Sequence, residues 1–183
     1  MVSLKHSETF HKKKKQIPAI VRKTIGKDEV IYGERALNAR FPNWLDRHTE
    51  DFDVYSKTPK KDAKQSERAL DKAFGGNYFY TEPAQHKGTH KVKAYANQTG
   101  YVDYTKPEKK MPPSEVINGK RYVKLNVVKA HIKKTLKDKE AQYRHAKDRD
   151  ALSRIKVYEK MQKVRAKKRK PVRKKQVGFG WGF

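Results

Sequence analysis

The excess of positive charge governs this chain before any motif does. Lysine and arginine number 46 against 20 acids, a formal net charge of +26 over 183 residues. A chain so charged repels itself and calls for a polyanionic partner, nucleic acid first and an anionic membrane second. The length leaves room for one modest domain with tails. The excess is concentrated at the two ends. Lys12, Lys13, Lys14 and Lys15 form one run, and after Lys160 no acid appears at all. There Lys167, Lys168, Arg169, Lys170, Arg173, Lys174 and Lys175 make a second run, too poor in apolar residues to fold alone. Both runs are expected to contact phosphates, with RNA the favoured nucleic acid. No apolar stretch reaches the roughly 18 residues of a membrane span, and the basic start lacks the apolar core of a signal peptide. The expected location is intracellular, cytoplasmic or packaged in a virion. Cysteine is absent, which excludes disulfides, thiolate nucleophiles and Cys-ligated zinc. With His, Asp and Glu as the available ligands, a hard cation is the expected metal, magnesium or manganese.

The patterning between the ends predicts an α+β fold: a small mixed sheet with flanking helices, a helical C-terminal part and basic tails. Residues 17–26 read as a short amphipathic helix and 29–32 as a strand broken by Gly33. Residues 36–45 read as a helix interrupted at Pro42, and 52–55 as a second strand. Thr58-Pro59 is a helix start, and Gly75-Gly76 is the matching stop. Strands over 90–96 and 101–105, joined by Asn97-Gln98-Thr99-Gly100, predict a hairpin. A polar loop over 106–113 follows, then helices over 122–136 and from Lys139 to about Val164. This divides the chain into a basic arm (1–15), an α/β core (16–110), C-terminal helices (111–160) and a basic tail ending in alternating glycine and aromatics (161–183).

The chemistry is concentrated in two strings, Tyr32-Gly33-Glu34-Arg35-Ala36 and Thr49-Glu50-Asp51-Phe52-Asp53-Val54-Tyr55. Residues two apart on a strand share a face, so Asp51 and Asp53 present neighbouring carboxylates while Phe52 and Val54 face a core. Such a pair suits divalent cations that clamp a triphosphate and favour deprotonation of an attacking hydroxyl. A third acid, Asp103, stands in Val102-Asp103-Tyr104 on a later strand, between apolar flanks. Arg144 and Lys147 follow on a predicted helix, in Arg144-His145-Ala146-Lys147-Asp148.

A strand, a glycine turn, a helix and a strand bearing Asp-x-Asp, in that order, resemble the DNA-polymerase-beta-like nucleotidyltransferase superfamily, in particular its small prokaryotic and viral members. The resemblance covers roughly residues 30–155. It implies that Asp51 and Asp53 hold the metal, that Asp103 is the third carboxylate acting on the incoming hydroxyl, and that a nucleoside triphosphate (NTP) is the substrate. It also implies that Gly33 lets backbone approach the triphosphate, with Glu34 and Arg35 beside it, and that Arg144 and Lys147 balance phosphate charge. One position departs from the family. A second small residue ordinarily follows the glycine, and here it is Glu34, an acid where phosphate should lie. Either Glu34 turns away, paired with Arg35 or Arg47, or triphosphate binding is degraded.

Three functions follow from these residues. The first is metal-dependent transfer of a nucleoside monophosphate from an NTP to a hydroxyl, on RNA. The second is non-catalytic nucleic-acid binding on a degenerate nucleotidyltransferase fold, which Glu34 favours. The third places the acceptor hydroxyl on a protein, which the basic tails make less attractive.

Overall fold

The computed structural model describes residues 4–169; the basic run from Lys170 onward and the Gly/aromatic end lie outside them, as do the side chains of Lys168 and Arg169. The chain opens with helices α1 (Leu4–Lys13) and α2 (Ile17–Thr24), then strand β1 (Val30–Tyr32) and the short helix α3 (Gly33–Asn38). Strand β2 (Phe52–Tyr55) precedes the long helix α4 (Pro59–Phe74). Three strands follow, β3 (Phe79–Pro83), β4 (Thr89–Ala94) and β5 (Gly100–Thr105), and then the hairpin β6 (Ser114–Ile117) and β7 (Lys120–Val123). Helices α5 (Leu125–Thr135) and α6 (His145–Arg169) end the described chain.

All seven strands form one mixed sheet in the order β3-β4-β5-β2-β1-β7-β6. Strands β2 and β5 are parallel neighbours, as are β1 and β7, and the remaining pairs are antiparallel. Alternation along the strands creates two cores. Ile31, Phe52, Val54, Val92, Val102 and Tyr104 point to one face, where side chains from α1, α2 and α4 cover them. Val30 and Val123 point to the other, where α3, α5 and α6 supply Leu37, Val128, Ile132, Ala151 and Ile155. That second layer covers the β1–β7 end. The outward side chains of β2, β5 and β4, including Asp53, Asp103 and Lys91, are left half-buried beside it.

The helix boundaries have local causes. Pro59 occupies the first turn of α4, where its missing N–H costs nothing. Thr58 precedes it without a side-chain capping bond; Ser56 Oγ instead accepts the Thr58 N–H at 2.8 Å, and Thr58 Oγ1 donates to Asp62 at 2.9 Å. Gly75 closes the helix at φ +82°, a conformation that glycine adopts without penalty.

Three segments differ from the sequence reading. Residues 79–83 form strand β3, for which the sequence carries no clear alternation. The predicted helix over 122–136 begins instead as strand β7, because Asn118 and Gly119 both take positive φ (48° and 75°) and turn the chain into a hairpin. The predicted basic arm contains α1, whose Phe10 is 1% exposed and packs between Phe74, Phe79 and Tyr101. One apolar side chain among lysines gives no periodic signal, yet it anchors the helix.

Candidate active site

Parallel pairing of β2 with β5 brings the acids together. Asp53 stands opposite Asp103 in register, so both carboxylates leave the sheet on the same face. Asp51 precedes β2 by one residue and is exposed; its carboxylate accepts a hydrogen bond from Thr49 Oγ1. Burial pushes the Asp53 carboxyl up to about 7, with Asp51 and Asp103 reinforcing the shift and Lys147 and Arg144 opposing it. A half-buried carboxylate beside two others gains most from a multivalent cation. Asp103 is also raised, first by burial, though Lys91 pulls the other way through an ion pair of 3.1 Å. Among the described residues no three His, Asp or Glu side chains are already grouped as a metal cage. The donor set nonetheless fits magnesium or manganese: the oxygens of Asp51 and Asp53 are hard ligands, and Asp53 is destabilised as an anion without a cation.

Gly33 is required where it stands. It follows β1 at φ +66°, and a Cβ there would overlap Asp53 Oδ2. The backbone therefore lies directly against the acid. Beside it opens a cavity of about 270 Å³ lined by Tyr32, Gly33, Asp53, Tyr55, Arg144, Lys147 and Asp148, with Val127, Val128 and Ile132 among its apolar walls. Arg144 and Lys147 line this cleft, Arg144 at the end of a single helical turn and Lys147 in the first turn of α6. Tyr32 and Tyr55, diagonal on the adjacent strands β1 and β2, stack with ring centroids 4.1 Å apart, and the Tyr32 hydroxyl bonds Thr105 Oγ1 at 3.1 Å.

The structure changes the surroundings of two predicted residues, although Glu34 still lines the cavity. Glu34 is 7% exposed and its carboxylate is gripped by Arg154 of α6, at 2.7 and 3.1 Å. Its partner is thus neither Arg35 nor Arg47, and its charge is neutralised within the fold. Arg35 is not free to meet a nucleotide. It donates to the carbonyls of Thr49, Glu50 and Asp51 and lies 3.6 Å over the Phe52 ring, so it staples the loop that carries Asp51.

The basic residues separate similarly. Lys13 donates to the carbonyls of Ala73 and Phe74 at 3.1 Å each, capping the negative end of α4 instead of standing free. Lys12, Lys14, Lys15 and Lys167 are exposed. A larger open groove of about 910 Å³, absent from the sequence reading, is lined by Lys57, Lys60, Lys61, Arg68, His90 and Lys106. These residues are spread from Lys57 to Lys106, and only the packing of α4 against β4 and β5 collects them.

No family model matches the chain, and no curated protein matches it. Solved structures do. The polyadenylate synthase of Megavirus superposes with a TM-score of 0.66 at 22% identity, over 78% of this chain and 31% of that one. JHP933 from Helicobacter pylori matches 78% of this chain and 61% of its own at 15% identity, with a TM-score of 0.43. The chain thus spans under a third of the length of the Megavirus structure. Over that span it shares the fold of the Megavirus structure, a mixed sheet flanked by helices.

Proposed function

We propose that this chain is a metal-dependent nucleotidyltransferase that moves a nucleoside monophosphate from an NTP to a hydroxyl on RNA, releasing pyrophosphate. The observation that carries the proposal is Asp53, a carboxyl raised to about 7 between two other acids and pressed against Gly33. Magnesium or manganese, held by Asp51 and Asp53, would supply the positive charge that offsets the triphosphate and acidifies the attacking hydroxyl. Gly33 contributes backbone that a side chain cannot block. Arg144 and Lys147, which line the same cavity, would neutralise phosphate oxygens. The hydroxyl oxygen forms a bond to the α-phosphorus, the bond to pyrophosphate breaks, and Asp103 accepts the hydroxyl proton. Its raised affinity for a proton suits that role. The sparse second layer over β2 and β5 leaves these groups reachable by a polymer end. RNA as acceptor draws support from the chain's charge and from the Megavirus neighbour, a polyadenylate synthase.

Incubation of the pure chain with each α-labelled NTP, magnesium or manganese and a mixed RNA pool tests the proposal. Label should enter RNA with the wild type and not with Asp53→Asn. Absence of transfer under every combination would overturn it.

The non-catalytic reading retains one supporting observation, the ion pair between Lys91 and Asp103. A third carboxylate tied to a lysine is a weaker proton acceptor. If Lys91→Met switches on transfer in an inactive wild type, the site is a degenerate one held silent by that pair.

A further inference from the structure

The cavity beside Asp53 contains a carboxylate that phosphate chemistry does not use. Asp148 is 4% exposed, and its Oδ2 has no hydrogen-bond partner among the described residues. Asp148 lies one residue after Lys147 and lines the same cavity, together with His131 and the apolar Val127, Val128 and Ile132. A buried carboxylate oxygen without a donor costs stability, so a fold that retains one is carrying it for something. Triphosphate oxygens cannot be that something, because they share its charge.

We infer that Asp148 accepts a hydrogen bond from the exocyclic amine of the incoming nucleobase and sets which NTP the cavity takes. The inference rests on the nucleotidyl-transfer reading and deepens it. An ionised carboxylate can only accept, so its partner must be a donor. Adenine, cytosine and guanine each carry an exocyclic amine. Uracil offers a single ring N–H between two carbonyl oxygens, and those oxygens repel the carboxylate. The apolar walls suit the flat faces of a base, and the stacked Tyr32–Tyr55 pair adds an aromatic surface at the same cavity. Arg144 and Lys147 line it too, so a molecule with its base toward Asp148 has cations within reach of its phosphates. A site built to bond a donor rejects the analogue that lacks it.

Calorimetric titration of the full chain in magnesium with α,β-imido analogues of ATP, CTP, GTP and UTP tests the inference, with purine-riboside triphosphate and 2′-deoxy-ATP analogues as further arms. The amine-bearing nucleotides should bind about tenfold more tightly than the UTP and purine-riboside analogues. The deoxy analogue should bind like its ribo counterpart. In Asp148→Asn, whose amide both donates and accepts, the gap should shrink to about threefold or less. Asp148→Ala should lose the same discrimination. Nucleotide binding with no preference for amines, or a preference that survives both substitutions, would overturn the assignment of Asp148 and leave nucleotidyl transfer standing. A loss confined to the deoxy analogue would also overturn it, since the donor would then be ribose. Failure of every nucleotide to bind the wild type would overturn both readings.

Discussion

Asp53 should make the stability of the metal-free chain fall as pH rises. Its folded carboxyl titrates near 7, whereas in an unfolded chain it loses its proton near pH 4. Between those values the native state holds the extra proton, so stability is greatest at the acid end of the window and declines toward pH 7. Glu29, raised to about 7 chiefly by burial, adds the same sign in the same window. Denaturant titrations in chelator at pH 5 and pH 7.5 should therefore show a smaller difference for Asp53→Asn than for wild type, with some slope remaining. Equal slopes would mean that Asp53 is not perturbed. Above pH 7, where the carboxylate is charged, divalent cations should bind best, and the substitution should abolish that binding. Glu34 has a different expectation. Glu34→Ser removes one of the two carboxylate partners of Arg154, whose side chain is 11% exposed and which keeps Asp150 at 2.9 Å, and leaving its buried donors unsatisfied costs about 1–3 kcal/mol. Nucleotide affinity should hardly change, because the carboxylate that would have repelled phosphate is already neutralised. Chemical denaturation and nucleotide titration of the same variant separate the two effects; a gain in affinity at unchanged stability would show that Arg154 does not hold Glu34.

Among the elements, α1 gives the clearest measurable consequence. Phe10 sits in a ring cluster with Phe74, Phe79 and Tyr101, so Phe10→Ala should cost about 3–5 kcal/mol. Substitution of the exposed Lys12 or Lys14 in the same region should cost almost nothing, and urea unfolding of the three variants checks the contrast. What the sequence disclosed about the elements follows from signal strength. Strand β2 was legible because four residues alternate cleanly, and α4 because it has both a proline start and a glycine stop. Asn118-Gly119 is a strong hairpin signal, but β6 and β7 on either side are four residues each and carry charges on their exposed positions. The apolar residues of β7 run on into those of α5 and hid the boundary. The site divides the same way. Strand periodicity pairs Asp51 with Asp53, whereas Asp103 joins them in the sequence only through the family resemblance; the parallel pairing of β2 with β5 is what sets it opposite Asp53. Arg154 could not be matched to Glu34, 120 positions away, nor could Asp148 be seen as unpartnered, since both depend on how α6 lies across α3. Only tertiary packing contains that information.

At the scale of the whole molecule, the charge of +26 requires a decision about where a polyanion would lie. The two terminal runs were the obvious place in the sequence, yet Lys13 is engaged with α4 and the second run lies largely beyond the described residues. The folded domain has its own collection of cations, the groove of Lys57, Lys60, Lys61, Arg68 and Lys106. Each phosphate that such groups neutralise contributes about 0.7 to the slope of log affinity against log salt for a single strand. Tail and groove therefore leave separable signatures. Deleting residues 170–183, which spares all of α6, should make the slope shallower, since lysines and arginines on phosphate act additively and without reading bases. A residual slope should survive in the truncated chain. Replacing Lys57, Lys60 and Lys61 by glutamine in that chain should reduce it by about two further units if all three meet phosphate. Because these lysines are exposed, their loss should leave the thermal midpoint within a degree or two. Filter binding of an RNA oligonucleotide across a salt series, with full-length, truncated and truncated-plus-glutamine chains in parallel, reads all three slopes. If truncation alone removes the salt dependence, RNA is held by the tail and the groove is only a solvated surface. If truncation leaves the slope intact, the polymer lies along the groove, and the folded domain itself would hold the RNA whose end the acids modify.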